Sequence, residues 1–258
     1  MIKNLKQLWG YNWLLQELIV RDLKIKYRRS VLGYLWSVLN PLLMMTIMTI
    51  VFSNMFRFDI PNYPVYLLAG QLIYTFFSES TSMAMYSILG GAALIKKVYL
   101  PKYIFPLSRV LSCFTTMLFS MLALFIVMMA TATSFHITLV LLPVVLIYLL
   151  LFCIGFGLLL SVLMVFFQDM QHLYGVFLTA FNYLTPIFYP ANLLPPWLQN
   201  LLVLNPLYDI ITIFRKVVIY GEWPTLTEHL LCICFSMGVL ILGVRVFKKN
   251  QNKFILYV

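Results

Sequence analysis

The stretch KIKYRRSVLGYLWSVLNPLLMMTIMTIVFSNMF (residues 24–56) decides the fold. Its first six residues carry four cations, Lys24, Lys26, Arg28 and Arg29. The next 27 residues, Ser30 to Phe56, carry no charged side chain. About 20 apolar residues cross a ~30 Å hydrocarbon layer as a helix, so the run is long enough to span one. The pair Leu32-Gly33 sits at the seam. A glycine there permits a sharp bend between a surface segment and a span, because no Cβ clashes.

Composition agrees. Of 258 residues, 62% are hydrophobic and 10% charged, against roughly 45–50% and about 25% in soluble domains. A single domain core is too small to absorb the excess. Lipid must solvate much of this surface, and in lipid only helices or closed barrels satisfy their own backbone. The sequence predicts an all-α integral membrane protein with six transmembrane helices, near 34–56, 64–89, 107–133, 139–166, 173–190 and 228–247. The chain divides into a surface segment (1–29) and a six-span domain (30–258).

With the N-terminus placed inside, the inner segments hold fifteen of the eighteen Lys and Arg residues and the outer segments three. That asymmetry orients both termini toward the cytoplasm of an inner-membrane, multi-pass protein. It also accounts for the net charge of +10 without nucleic acid. No cleavable signal is expected at the N-terminus, where Glu17, Arg21 and Asp22 interrupt the apolar pattern. Cys113, Cys153, Cys232 and Cys234 lie in apolar runs and read as small hydrophobic residues.

Residues 1–29 read as an amphipathic interface helix. Leu5, Leu8, Leu15, Ile19 and Leu23 share one side, and Glu17, Arg21, Lys24 and Arg28 recur on another. Trp9, Trp13 and Trp36 suit interfacial depth. The segment GGAALIKKVYLPKYIFPLSR (90–109) reads as a short cytoplasmic helix along the inner surface, carrying Lys96, Lys97 and Lys102. The outer segment 189–224 is apolar but broken by Pro190, Pro195-Pro196 and Asn205-Pro206. Its pieces are too short to cross and read as re-entrant or interfacial helices, beside a pathway.

Catalytic chemistry is missing from the sequence. It holds no G-x-x-x-x-G-K-[ST] phosphate loop, no Cys/His cluster of metal-ligand spacing and no G-x-S-x-G nucleophile motif. His136, His172 and His229 are far apart. Glu79 lies well inside the second expected span, roughly 22 Å from its outer end. A charge at mid-membrane costs about 2.5–3.5 kcal/mol, so Glu79 must face a partner or a wet cavity. It is either a structural acid at a helix contact or part of a pathway. Tyr174, Phe177 and Phe181 fall at i, i+3 and i+7 on one helix face, and Tyr66 and Tyr74 lie in the second span. Such rings form an interfacial belt, or stack the apolar faces of sugars passing over them.

The segment RDLKIKYRRSVLGYLWSVLNPLL (21–43), then IKKVYLPKYIFPLS (95–108), Asp169, TPIFYP (185–190) and NPL (205–207) follow one another in the order of a known family. In them, and along essentially its whole length, the chain resembles the membrane subunits of ABC transporters of the type-2 polysaccharide and polyol-phosphate export family, the permeases for O-antigen, capsule and teichoic-acid chains. Gln168 departs from the Arg common before that Asp. The resemblance implies a homodimer paired with two copies of a separate ATPase, which binds the ATP and magnesium; this chain binds no cofactor. It implies a lipid-linked polysaccharide as cargo, Arg28, Arg29, Leu32 and Gly33 near the lipid diphosphate at the cytoplasmic mouth, and Tyr66, Tyr74, Glu79, Tyr174, Phe177 and Phe181 along the pathway. Coupling to the ATPase would fall to Arg21, Lys24, Lys96, Lys97, Lys102 and Asp169. An ABC exporter of a small lipid or drug is the alternative, and an ion-driven carrier a more distant one, because the spans hold no acid-base relay.

Overall fold

A computed structural model describes residues 11–56, 60–98 and 100–257. Leu5, Leu8, Trp9 and Arg57 lie outside those residues. The described chain is helical, with no strand: α1 (Asn12–Tyr27), α2 (Trp36–Phe56), α3 (Tyr63–Met85), α4 (Ser87–Gly90), α5 (Ala92–Lys97), α6 (Ile104–Ala130), α7 (Leu142–Phe166), α8 (Met170–Leu184), α9 (Pro196–Leu202), α10 (Pro206–Arg215) and α11 (Leu226–Asn250).

Four stretches among the described residues are long and apolar enough to cross a membrane: Gly33–Phe52, Ile104–Ala130, Ile137–Phe166 and Leu226–Leu256. The other two expected spans differ for physical reasons. Helix α3 has 23 residues, roughly 35 Å at 1.5 Å per residue, but it carries Gln71, Glu79 and the hydroxyls of Ser78, Ser80, Thr81 and Ser82. Protein covers Ser80 and Thr81, while Glu79 keeps 43% of its side chain exposed. Helices α2, α6, α7 and α10 pack around α3, and Val65, Leu67, Leu68, Ala69, Ile73 and Ala84 are fully buried. Helix α8 has 15 residues, about 22 Å, and stops before the expected end of the fifth span. Thr185 precedes Pro186, whose ring disfavours helical geometry in the residue before it, and Thr185 is extended (φ −86°, ψ 127°).

The turn from α1 into α2 is made at Gly33, whose φ of +52° lies in the left-handed region. A Cβ there would meet nothing within 4 Å, so the requirement is conformational and not one of space. The Gly33 N–H donates to Ser30 Oγ at 3.1 Å. Pro41 lies inside α2. Lacking an N–H, it leaves the Ser37 carbonyl without its helical donor. Ser120 of α6 supplies the replacement, Oγ to Ser37 O at 2.8 Å. A local defect in one helix thus becomes a tether to another.

At the far end, α10 is drawn into the main core. Leu207, Ile210, Ile211, Ile213 and Phe214 are buried against α3, α7 and α11. Asn205 caps it, Oδ1 accepting from the Leu207 and Tyr208 N–H groups, and its Nδ2 donates to Thr185 Oγ1 at 3.0 Å. Thr225 and Glu228 form a reciprocal capping box at the start of α11.

Candidate functional site

Helix α1 packs mainly on α6, and charges place it. Asp22 is turned inward, its side chain 1% exposed. It accepts from Arg109 of α6 at 2.9 Å and from its neighbour Arg21 at 3.1 Å. A buried carboxylate needs such partners, because desolvation without them costs several kcal/mol. One turn later Lys26 Nζ meets Glu79 Oε2 of α3 at 3.0 Å. Burial alone would lower the Lys26 ammonium, but the Glu79 carboxylate reverses this and holds it above the ordinary lysine value.

This pair stands between two cavities. One, of about 300 Å³, lies between α2, α3 and α6 and is lined by Trp36, Asn40, Gln71, Thr75, Thr116 and Ser120. The other, of about 580 Å³, extends toward α1 past Asp22, Ser82, Arg109 and Ser112. Lys26, Glu79, Cys113 and Thr116 belong to the walls of both. Glu79 therefore has both a charged partner and a cavity.

The aromatic residues singled out in the sequence separate into two groups. Tyr174, Phe177 and Phe181 do form a ladder on α8, with ring centroids 5.7 and 5.1 Å apart. Most of it faces protein. Tyr174 is buried and bonds Thr81 through its hydroxyl at 2.5 Å, and Phe181 packs on Phe77 of α3. Phe177 keeps an exposed edge. Tyr74 donates to the Leu178 carbonyl at 2.5 Å, which fastens α8 to α3.

Tyr66 belongs elsewhere, with a residue of the outer segment 189–224. Arg215, at the end of α10, is buried. Its Cζ lies 3.5 Å from the Tyr66 ring centroid. Its guanidinium donates to the carbonyls of Pro186 at 2.9 Å, Ile187 at 2.8 Å and Tyr66 at 3.3 Å. Gly70 makes room for it: a Cβ there would sit 2.6 Å from Nη2. Helix α8 ends before Pro186, so the Pro186 and Ile187 carbonyls lie beyond the helix, where Arg215 reaches them.

The other positions are surface features. Arg28, Arg29, Leu32, Arg21 and Lys24 are exposed at the α1–α2 turn and on α1, and Gly33 is half-buried. Lys96 and Lys97 are exposed on α5, which buries Ile95. Lys102 instead reaches the Gln251 carbonyl at 2.7 Å, and burial lowers its ammonium from the ordinary value. Asp169 and Gln168 are exposed ahead of α8. The structure brings Lys26 and Glu79 together. Among the described residues no three His, Cys, Asp or Glu side chains gather as metal ligands.

The sequence can be set beside known proteins. Residues 14–219 match the profile described as ABC-2 type transporter. An O-antigen export system permease protein RfbA of Klebsiella pneumoniae is 30% identical over 97% of this chain and 98% of its own length. Its counterpart in Myxococcus xanthus is 29% identical over 98% of each. The polysialic acid transport protein KpsM of Escherichia coli is 23% identical over 92% of this chain and 93% of its own. The chain belongs to the ABC-2 type transporter family of membrane proteins.

Proposed function

We propose that this chain is the permease subunit of an ATP-driven exporter that carries a lipid-linked polysaccharide, of O-antigen or capsule type, outward across the cytoplasmic membrane. The observation that carries the reading is the end-to-end similarity to O-antigen export permeases. Power comes from a separate ATPase in two copies, since this sequence has no phosphate loop. Two copies of the permease form the working unit. Helices α2 and α8 turn apolar side chains such as Leu43, Ile47, Leu173 and Val176 outward, toward lipid or the second copy.

In this reading α2, α3, α6, α7, α8 and α11 are the six spans. The N-terminal segment and α5 meet the ATPase on the cytoplasmic side, where the excess of Lys and Arg lies. Helices α9 and α10 fold back into the outer leaflet. Arg28 and Arg29 complement the diphosphate of the lipid anchor at the membrane surface.

The test is purification of the chain from cells that hold its operon partners. An ATPase should come with it, and a polyprenyl-diphosphate-linked glycan should raise ATP turnover in proteoliposomes. Turnover raised by small amphiphilic drugs and not by the glycan would favour the small-cargo alternative. Cargo movement by the permease alone would refute ATP coupling.

A further inference from the structure

The cavity between α2, α3 and α6 is rich in hydrogen-bond acceptors. Three of its hydroxyls already spend their proton on backbone: Ser37 Oγ on Tyr34 O at 2.7 Å, Thr116 Oγ1 on Ser112 O at 3.2 Å and Ser120 Oγ on Ser37 O at 2.8 Å. Each therefore shows the cavity lone pairs only, since a hydroxyl has one proton. The Gln71 amide oxygen is buried in this wall with no hydrogen-bond partner. Glu79 adds carboxylate oxygens. The wall is rich in acceptors and also holds donors in the Lys26 ammonium, the Asn40 amide and the Trp36 indole, so a complementary ligand must bring both.

A phosphodiester is a poorer match, because it brings no donor for the oxygens of Gln71, Ser37, Thr116 and Ser120. A plain acyl chain would leave the buried Gln71 amide oxygen unpaired, which costs about 1–3 kcal/mol. A polyhydroxylated ring answers the pattern. Its O–H groups donate to Gln71, Glu79, Ser37, Thr116 and Ser120, and its C–H face suits Trp36 and Met117 on the same wall. A volume of about 300 Å³ lies at the lower end for small-molecule sites and holds a single ring, not a chain.

We propose that this cavity is a binding site for one sugar ring, the unit joined to the lipid anchor, held inside a single protomer. The proposal rests on the reading of the cargo as a lipid-linked glycan. It adds that the permease recognises the first sugar as well as the anchor. The Lys26–Glu79 pair closes the site toward the neighbouring cavity, so occupancy bears on how α1 meets α3.

The test uses the full chain in lipid nanodiscs with Trp9, Trp13, Trp197 and Trp223 replaced by Phe, leaving Trp36 to report. The probes are polyprenyl diphosphate N-acetylglucosamine and sugar-free polyprenyl diphosphate. The sugar-bearing probe should change Trp36 emission saturably and the sugar-free one should not. Gln71→Leu and Asn40→Leu should each weaken the response at least tenfold while the thermal transition stays cooperative. Equal responses to both probes would overturn the proposal, as would unchanged affinity in either folded variant. The two readings fail separately. If Gln71→Leu exports glycan in proteoliposomes with unchanged half-saturation, the sugar site falls and the exporter stands. If the sugar-bearing probe binds but ATP never drives its movement, the exporter falls and the site stands.

Discussion

Lys26 on α1 and Glu79 on α3 are joined at 3.0 Å although 53 residues separate them in sequence. The contact ties the surface helix to the most enclosed helix of the bundle. Both side chains are about two-fifths exposed, at 39% and 43%, so the pair contributes only roughly 0.2–1 kcal/mol to stability. Its position between two cavities is worth more than its energy. We expect Lys26→Glu and Glu79→Lys each to cut export severalfold with little change in thermal stability. The double exchange should restore at least half of the rate. Failure of the exchange to restore export would show that charge at each site matters independently of pairing.

Asp22 and Arg109 behave differently, because Asp22 is buried. Arg109→Ala leaves a carboxylate in the contact between α1 and α6 with only Arg21 beside it. The cost should be roughly 2–3 kcal/mol, below that for a fully enclosed pair, since Arg109 is a quarter exposed. Asp22→Asn with Arg109→Gln should recover more than half of the loss, because neutral amides leave no unpaired charge. Protease susceptibility at Lys24 and Lys26 reports whether α1 has lifted away. A double variant as unstable as Arg109→Ala alone would assign the loss to packing.

The cation block, the bend at Gly33 and the long uncharged runs were legible because each depends on local chemistry: charge beside oil, a missing Cβ, length against bilayer thickness. Asp22 was not legible as an inward residue, because its partner Arg109 comes from another helix. Arg215 lies in the outer segment 189–224, and the sequence does not record that the Pro186 and Ile187 carbonyls fold against it. Glu79 called for a partner or a cavity, and its chemistry did not choose between them. The aromatic ladder of α8 was readable as a face, but which face meets α3 and α7 is decided by packing of the whole bundle.

Arg215 should be intolerant of substitution. It satisfies carbonyls on two segments at once, Tyr66 on α3 and Pro186 and Ile187 after α8. Lysine keeps the charge but not the planar fork, so Arg215→Lys should lose roughly 2–4 kcal/mol, as should Arg215→Met. Gly70→Ala should copy part of this effect by occupying the guanidinium's space. Hydrogen exchange at Ile187 to Tyr189 gives the local readout. If Arg215→Lys leaves that protection intact, the guanidinium geometry is not what holds the segment.

Asp209 of α10 makes stability depend on pH. Burial first, and the Glu228 carboxylate second, push its carboxyl from the ordinary 3.8 up to about 6. One of its oxygens, Oδ2, is buried with no hydrogen-bond partner among the described residues. A raised acid means that the folded state favours the neutral form. Its contribution is therefore most favourable below pH 4 and is lost as pH rises through 6. Asp209→Asn removes this titration. Relative to the parent, the variant should gain stability between pH 5 and 8, reaching roughly 1–2 kcal/mol at pH 8 after allowance for solvent screening. Thermal unfolding of the two proteins across that range, read as a difference so that histidines common to both cancel, measures it. A constant difference from pH 5 to 8 would mean that Asp209 titrates below this range and that its burial carries no charge penalty.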